Sequence, residues 1–219
     1  GVADVDGLLY LKARYGLFLY MDDSHALSAF GEGGRGYIRP FMHTQDDQTL
    51  IVASLGKSFG ASGGLIMFGS ERQKSLMYRY GGPSNWSQSL NSAAIGAGLA
   101  SLKIHQSEEL YELQEKLQFN IKLFDQLIHT EQHSTQTAIR LINCGEAEKA
   151  NELAIRLSDA GFFTSAVFFP VVPKGKAAVR ITLRADMSPT TIKSFCSQLT
   201  QLITLSKTSL SLNSQSEAT

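Results

Sequence analysis

Leu17-Phe18-Leu19-Tyr20-Met21 is an unbroken apolar run, and it stops abruptly at Asp22-Asp23-Ser24-His25. A short continuous apolar run bounded by polar residues reads as a strand buried on both faces, the pattern of a parallel sheet. Before it, Val5, Leu8, Leu9 and Leu11 mark a short amphipathic helix that Gly16 can close in a left-handed cap. Thr49 to Ala53 and Leu65 to Phe68 are two further short apolar runs bounded by glycine and polar residues. Together these predict part of an α/β sheet with helices on both faces. In open sheets of this kind ligands bind beyond the carboxyl ends of the strands, which predicts a site at residues 22–25.

The second half has a different rhythm. Leu110, Leu113, Leu117, Ile121, Phe124 and Ile128 recur at intervals of three and four, which predicts one long helix with a single buried stripe, a bridge between two domains. A strand follows at Ala138 to Ile142, then a helix from Glu146 to about Asp159 ended by Gly161, then strands near Phe163 to Phe169 and Ala178 to Leu183. Ser188 and Pro189 supply an N-cap and first-turn pair for a last helix through Phe195, Leu199 and Leu202. This set forms a small α+β module over residues 108–205. The tail 206–219 is rich in Ser, Thr, Gln and Asn and is expected to be disordered.

Charge narrows the function classes. Lysine plus arginine equals aspartate plus glutamate at 20 each, so no basic surface asks for nucleic acid and no charge excess asks for a membrane face. No apolar stretch approaches the roughly 18 residues of a spanning helix. Cys144 and Cys196 lie far apart without metal-ligand spacing, and the N-terminus lacks the order of a signal peptide, so a cytoplasmic location is the expectation. His43, His105, His129 and His133 have no paired ligands, and no metal is expected. Gly31 to Gly36 is a turn-rich loop rather than a dinucleotide fingerprint, because it follows an acidic segment and opens no clear helix.

A second concentration of chemistry is Ser54-Leu55-Gly56-Lys57-Ser58-Phe59-Gly60-Ala61-Ser62-Gly63-Gly64, one lysine among glycines and small hydroxyl residues directly after a strand. Such a loop lets backbone come close to a bound group. With Asp22-Asp23-Ser24-His25 and Gly31-Glu32-Gly33-Gly34-Arg35-Gly36 before it, Trp86-Ser87-Gln88-Ser89-Leu90 after it, and Phe169-Pro170-Val171-Val172-Pro173-Lys174-Gly175 leading to Val179-Arg180-Ile181, the chain resembles the α-oxoamine synthase family of fold type I pyridoxal-phosphate (PLP) enzymes. Four motifs in the right order carry the resemblance over nearly the whole chain except the tail. It implies that residues 1–107 are the C-terminal part of a PLP-binding large domain, with a mostly parallel sheet, followed by the small domain.

The resemblance also implies roles. Asp22 would pair with the pyridine nitrogen of PLP; at about 4 Å and an effective dielectric of about 20 such a pair is worth roughly 4 kcal/mol, or about three pKa units. Taken alone, Asp22 could equally cap the next turn. His25 would hydrogen-bond the cofactor phenolic oxygen, or else be a histidine satisfied by nearby backbone; Asp23 reads as structural. Lys57 would hold the cofactor in a Schiff base and then take the α-proton of the amino acid. Ser54 would reach the phosphate, or bond its own turn. Ser87, with Ser89, would reach the phosphate from the other subunit of a homodimer with shared active sites, or Ser87 would cap the small-residue helix from Ser92 to Ala100. Arg180 would clamp the amino-acid carboxylate through a bidentate fork, or be a surface arginine at a strand end.

The implied activity is condensation of a small amino acid with an acyl-CoA or acyl-carrier thioester, usually with loss of carbon dioxide. A fold type I aminotransferase would share Asp22 and Lys57 but make a keto acid and need no thioester. Reading residues 22–25 as the acidic box of a nucleotide-driven motor fails for want of a Gly-x-x-x-x-Gly-Lys-Ser/Thr loop. The family's Gly-rich phosphate-binding turn and ring-stacking residue have no counterpart, so the first half of the large domain is expected to lie outside this sequence. A non-catalytic fragment or interaction protein therefore stays open. Ala185-Asp186-Met187 and Asn91-Ser92 depart from the family pattern and leave the substrate open.

Overall fold

The computed structural model describes residues 2–42 and 46–216, with side chains described up to residue 204 except at residue 84. His43 lies outside the described residues. The chain divides into two units, Gly1–Gln114 and Glu115–Thr219.

In the first unit, helix α1 (Val5–Tyr15) starts at Asp4, whose carboxylate accepts the Gly7 N–H, and ends at Gly16 with φ 65°. The left-handed cap lets the Gly16 N–H return to the Lys12 carbonyl. Strand β1 (Leu19–Asp22) pairs in parallel with β2 (Thr49–Ser54), which pairs antiparallel with β3 (Gly64–Met67). The connection 55–63 is too short for a parallel crossover, which takes about a dozen residues or more, so β3 must turn back. Val5, Leu19, Met21, Ile38, Met42 and Ile51 form the core of this unit, with Leu8, Leu9, Tyr37, Phe41 and Met67 packed around it. Burial of each such side chain contributes about 1.5–3 kcal/mol.

β1 differs from the strand buried on both faces that its composition suggests. Leu19 and Met21 are buried but Tyr20 is 68% exposed, because no described element covers that face. Two short helices follow, α2 (Glu71–Tyr80), which buries none of its residues, and α3 (Gly82–Trp86). α2 is fixed by its start: Ser70 Oγ accepts the Gln73 N–H at 3.1 Å, and Gln73 Oε1 accepts the Gly69 N–H at 2.8 Å. Helix α4 (Ser92–His105) is capped by Asn91, whose Oδ1 accepts the Ala94 N–H at 2.8 Å. Ser87 is therefore not the cap; it stands four residues too early.

Helix α5 (Glu109–Leu127) is the long helix expected, with Leu110, Leu117, Ile121 and Phe124 on its buried stripe, and the division between the units falls inside it. The second unit carries the antiparallel sheet β4-β6-β5, built from β4 (Ile139–Gly145), β5 (Ser165–Val167) and β6 (Ala177–Thr182). Helix α6 (Ala147–Asp159) lays Ala150, Leu153 and Leu157 on that sheet, and α7 (Pro189–Ser216) adds Ile192, Phe195, Leu199 and Leu202 to the core. Ser188 caps α7 by accepting the Thr191 N–H at 3.1 Å. The backbone of α7 is described to Ser216. Residues 217–219 lie outside the described residues.

Arg140 is wholly buried in β4. Its Nε and Nη2 donate to the two carboxylate oxygens of Asp125 at 2.6 and 2.7 Å, and its remaining hydrogens go to the carbonyls of Thr135, Thr137 and Ile139. Bidentate pairing with full satisfaction is what permits a charge there.

Candidate active site

The parallel register aligns Asp22 with Val52, so β1 and β2 end side by side. The chain leaving β1 turns at once: the Ala26 and Leu27 N–H groups donate back to the Asp23 carbonyl at 2.9 and 3.0 Å. Asp23 is buried and its carboxylate accepts the Tyr37 and Ile38 N–H groups at 2.9 and 3.3 Å, which ties the glycine loop to the strand end. Gly36 is required there: its φ is 87°, and a Cβ would stand 2.0 Å from Asp23 Oδ2. Desolvation raises the Asp23 pKa, against the two backbone bonds that lower it. Its task is structural.

Ser24 is buried between the strand ends. Its backbone N–H donates to Asp22 Oδ1 at 2.8 Å, and its Oγ accepts the Ser54 N–H at 2.9 Å. Asp22 itself faces solvent. Its pKa is lowered first by hydrogen bonding to the Ser24 side chain, then to the Ser24 backbone, with the charges of Lys57 and His25 adding to the effect and burial opposing it. The carboxylate is therefore anionic at neutral pH. Ser24 did not enter the expected site, although an Asp with a hydroxyl residue two places on is a recognisable Asx-turn spacing.

Lys57 is exposed on a loop that closes on itself. The Leu55 N–H donates to the Gly63 carbonyl at 2.9 Å, Gly60 to Lys57 at 2.9 Å and Ala61 to Leu55 at 2.8 Å. Ser54 Oγ accepts the Gly56 N–H at 3.2 Å, so this hydroxyl makes the turn bond its alternative reading described. The structure thus brings Asp22, His25, Ser54 and Lys57 to one end of the β1–β2 pair.

Ser87 and Ser89 are exposed on the segment between α3 and α4, beside Trp86, which is 91% exposed. Ser87 Oγ donates to the Pro83 carbonyl. Leu90 packs against Gly63, where a Cβ would come within 2.7 Å of Leu90 Cδ2, so this segment adjoins the end of the lysine loop. Arg180 belongs to the second unit, in the central strand β6 opposite Leu141 and Ser165, and its Nε is buried with no hydrogen-bond partner among the described residues. It is not the surface arginine of its alternative reading.

The four groups at the strand ends suit PLP: an anion for a protonated ring nitrogen, an imidazole, a hydroxyl and a primary amine in a glycine-rich loop. Among the described residues no group of three or more His, Cys, Asp or Glu side chains is placed to hold a metal ion. No helix there is long and apolar enough to cross a membrane.

The sequence matches the family model for aminotransferase class I and II over residues 2–199. The chain belongs to that family. Within it, the chain is 29% identical over 206 residues to the 8-amino-7-oxononanoate synthase of Marinomonas sp. (strain MWYL1), an alignment covering 93% of this chain and 51% of that protein. It is 32% identical over 179 residues to the 8-amino-7-oxononanoate synthase/2-amino-3-ketobutyrate coenzyme A ligase of Thermus thermophilus, covering 80% of this chain and 45% of that protein. These relatives support the α-oxoamine synthase resemblance. A solved structure of SPT (serine palmitoyltransferase) with PLP aligns at a TM-score of 0.80 and 19% identity, over 91% of this chain and 50% of that one, and shows the fold type I architecture. This aminotransferase class I and II chain spans about half the length of the curated relatives it matches.

Proposed function

We propose that this chain carries the lysine half of a PLP-dependent acyltransferase site, which condenses a small amino acid with an acyl-CoA or acyl-carrier thioester and releases carbon dioxide and an α-amino ketone. The observation that carries the reading is the meeting of anionic Asp22 with Lys57 and His25 at the ends of two parallel strands.

PLP, when bound, supplies an electron sink for negative charge at the amino-acid Cα. Asp22, whose carboxylate is held ionised by Ser24, would pair with the ring nitrogen and favour its protonated form. His25 would donate to the phenolic oxygen, and the Ser54 hydroxyl, with Ser87 and Ser89 of the partner subunit, would hold the phosphate. Lys57 Nζ takes the proton from the amino-acid Cα. Arg180 would receive the amino-acid carboxylate, the role that the family resemblance gives it. The relatives named as synthase and coenzyme A ligase support the thioester as second substrate.

The test is release of free thiol from acyl-CoA by the full-length protein with glycine, alanine or serine. Thiol release that needs both substrates supports the acyltransferase. A 2-oxo acid formed from the amino acid without any thioester would make it an aminotransferase instead.

A further inference from the structure

Behind the proposed site runs a hydrogen-bonded chain that the chemistry above does not use. His105, the last residue of α4, is half-buried; its Nδ1 lies 2.8 Å from the Ser101 carbonyl and its Nε2 2.9 Å from Ser28 Oγ. A carbonyl only accepts, so Nδ1 carries the hydrogen and, in the neutral ring, Nε2 accepts from the Ser28 hydroxyl. Ser101 Oγ in turn donates to the Phe59 carbonyl at 2.5 Å, and the Phe59 ring packs on the imidazole with centroids 4.9 Å apart. The series Ser28, His105, Ser101, Phe59 thus joins the turn that follows Asp22 and His25 to the loop that carries Lys57.

The Ser28 end is held hard. Ser28 has φ 70°, a left-handed conformation unfavourable for a residue with a Cβ. Its N–H donates to the Gly34 carbonyl at 2.8 Å, and Gln114 Nε2 donates to the carbonyls of Ser28 and Gly31 at 2.9 and 3.1 Å. The neighbouring backbone leaves no slack: at Gly34, with φ 70°, a Cβ would stand 2.9 Å from His105 Cδ2 and 3.1 Å from Ser28 Cα. A disfavoured conformation persists where its surroundings over-determine it.

We propose that His105 is a positioning residue for the reaction, bracing the Phe59 end of the lysine loop against the Ser28 turn and so fixing where Lys57 stands beside Asp22. The inference rests on the reading of Lys57 as the cofactor lysine. Both protonation states of the imidazole keep the two ring bonds, since a second ring proton would simply donate to Ser28 Oγ. The brace acts through geometry, so its loss shows as loop motion and a lower turnover.

The experiment compares the full-length wild type with His105→Ala, Ser101→Ala and His105→Asn. Without PLP, hydrogen exchange at the Gly60 and Ala61 amides, which close the lysine loop, should quicken about fivefold or more in the first two, the size of one net hydrogen bond. Amides of 49–54 should keep their rates. With PLP, borohydride should still label Lys57, while kcat for α-proton exchange from glycine falls and KM stays unchanged. His105→Asn keeps a donor toward the Ser101 carbonyl and should recover part of both effects. Unchanged Gly60 and Ala61 exchange in the folded variants overturns the proposal, and so does a fall in KM-dependent binding alone. If His105→Ala does not fold, Ser101→Ala, which removes one oxygen, decides. If wild type carries no label on Lys57, the functional reading falls and the positioning role with it, while amide exchange still shows whether the brace is real.

Discussion

The Ser54 N–H donates to Ser24 Oγ at 2.9 Å, joining the end of β2 to the turn after β1. The same serine binds the Asp22 carboxylate through its backbone N–H. One buried residue therefore sets the spacing of the two strand ends and the ionisation of the acid between them. Asp22→Asn keeps the side-chain volume and removes the charge. The variant should retain PLP and lose most exchange of deuterium into glycine or alanine. Exchange at the wild-type rate would take Asp22 out of its role.

Acid sensitivity has an identifiable source. Lys12 Nζ is buried and reaches both carboxylate oxygens of Asp46 at 2.6 Å and Thr49 Oγ1 at 2.8 Å. The hydrogen bond from Lys12 is the main cause holding Asp46 below its usual 3.8. A carboxylate with a lower folded than unfolded pKa gives stability that is complete above the unfolded value and lost as pH falls through the folded one. Urea midpoints should therefore drop below about pH 4. Asp46→Asn should shrink that acid limb and cost about 1 kcal/mol or less at neutral pH, because the Asp46 carboxylate is more than half exposed and solvent screens the pair. Asp22 shares the sign, whereas Asp23, raised by burial, opposes it: its contribution is full below the unfolded pKa and fades as pH rises through the folded one.

In the second unit the ion pair of Arg140 and Asp125 should behave as a buried pair does. Asp125→Ala leaves a buried guanidinium unpaired and should cost about 3–5 kcal/mol by denaturant unfolding, while Arg140→Met with Asp125→Leu should recover most of it. A loss in the double variant equal to the sum of the losses in Asp125→Leu and Arg140→Met alone would mean that the pair contributes no such coupling.

Much of this fold was legible because it is periodic. The stripe of α5, the amphipathic α6 and the apolar β1 and β2 declare themselves in consecutive residues, and parallel pairing then gathers Asp22, His25, Ser54 and Lys57. Other features depend on partners distant in sequence. Nothing near Ser28 announces His105, which lies 77 residues on, and nothing in β4 marks Arg140 as buried rather than exposed. The direction of β3 could have been read from the length of 55–63, and α2 from Ser70 and Gln73.

Ser87 is expected to act across a subunit boundary. It stands beside exposed Trp86 and before the small-residue face of α4, features that suit an interface, and its neighbour Leu90 touches the lysine loop. Mixed dimers of full-length Lys57→Ala and Ser87→Ala subunits should regain activity above the sum of the two, since one site is then intact. Mixed dimers without recovery, from singly impaired parents, would place Ser87 in its own subunit's site.

The central claim is that Lys57 is the residue joined to the cofactor. Full-length protein mixed with PLP should show a visible absorbance band, and borohydride reduction followed by peptide mapping should find the pyridoxyl group on Lys57. The absence of a band, or a label on any other lysine, would contradict the account.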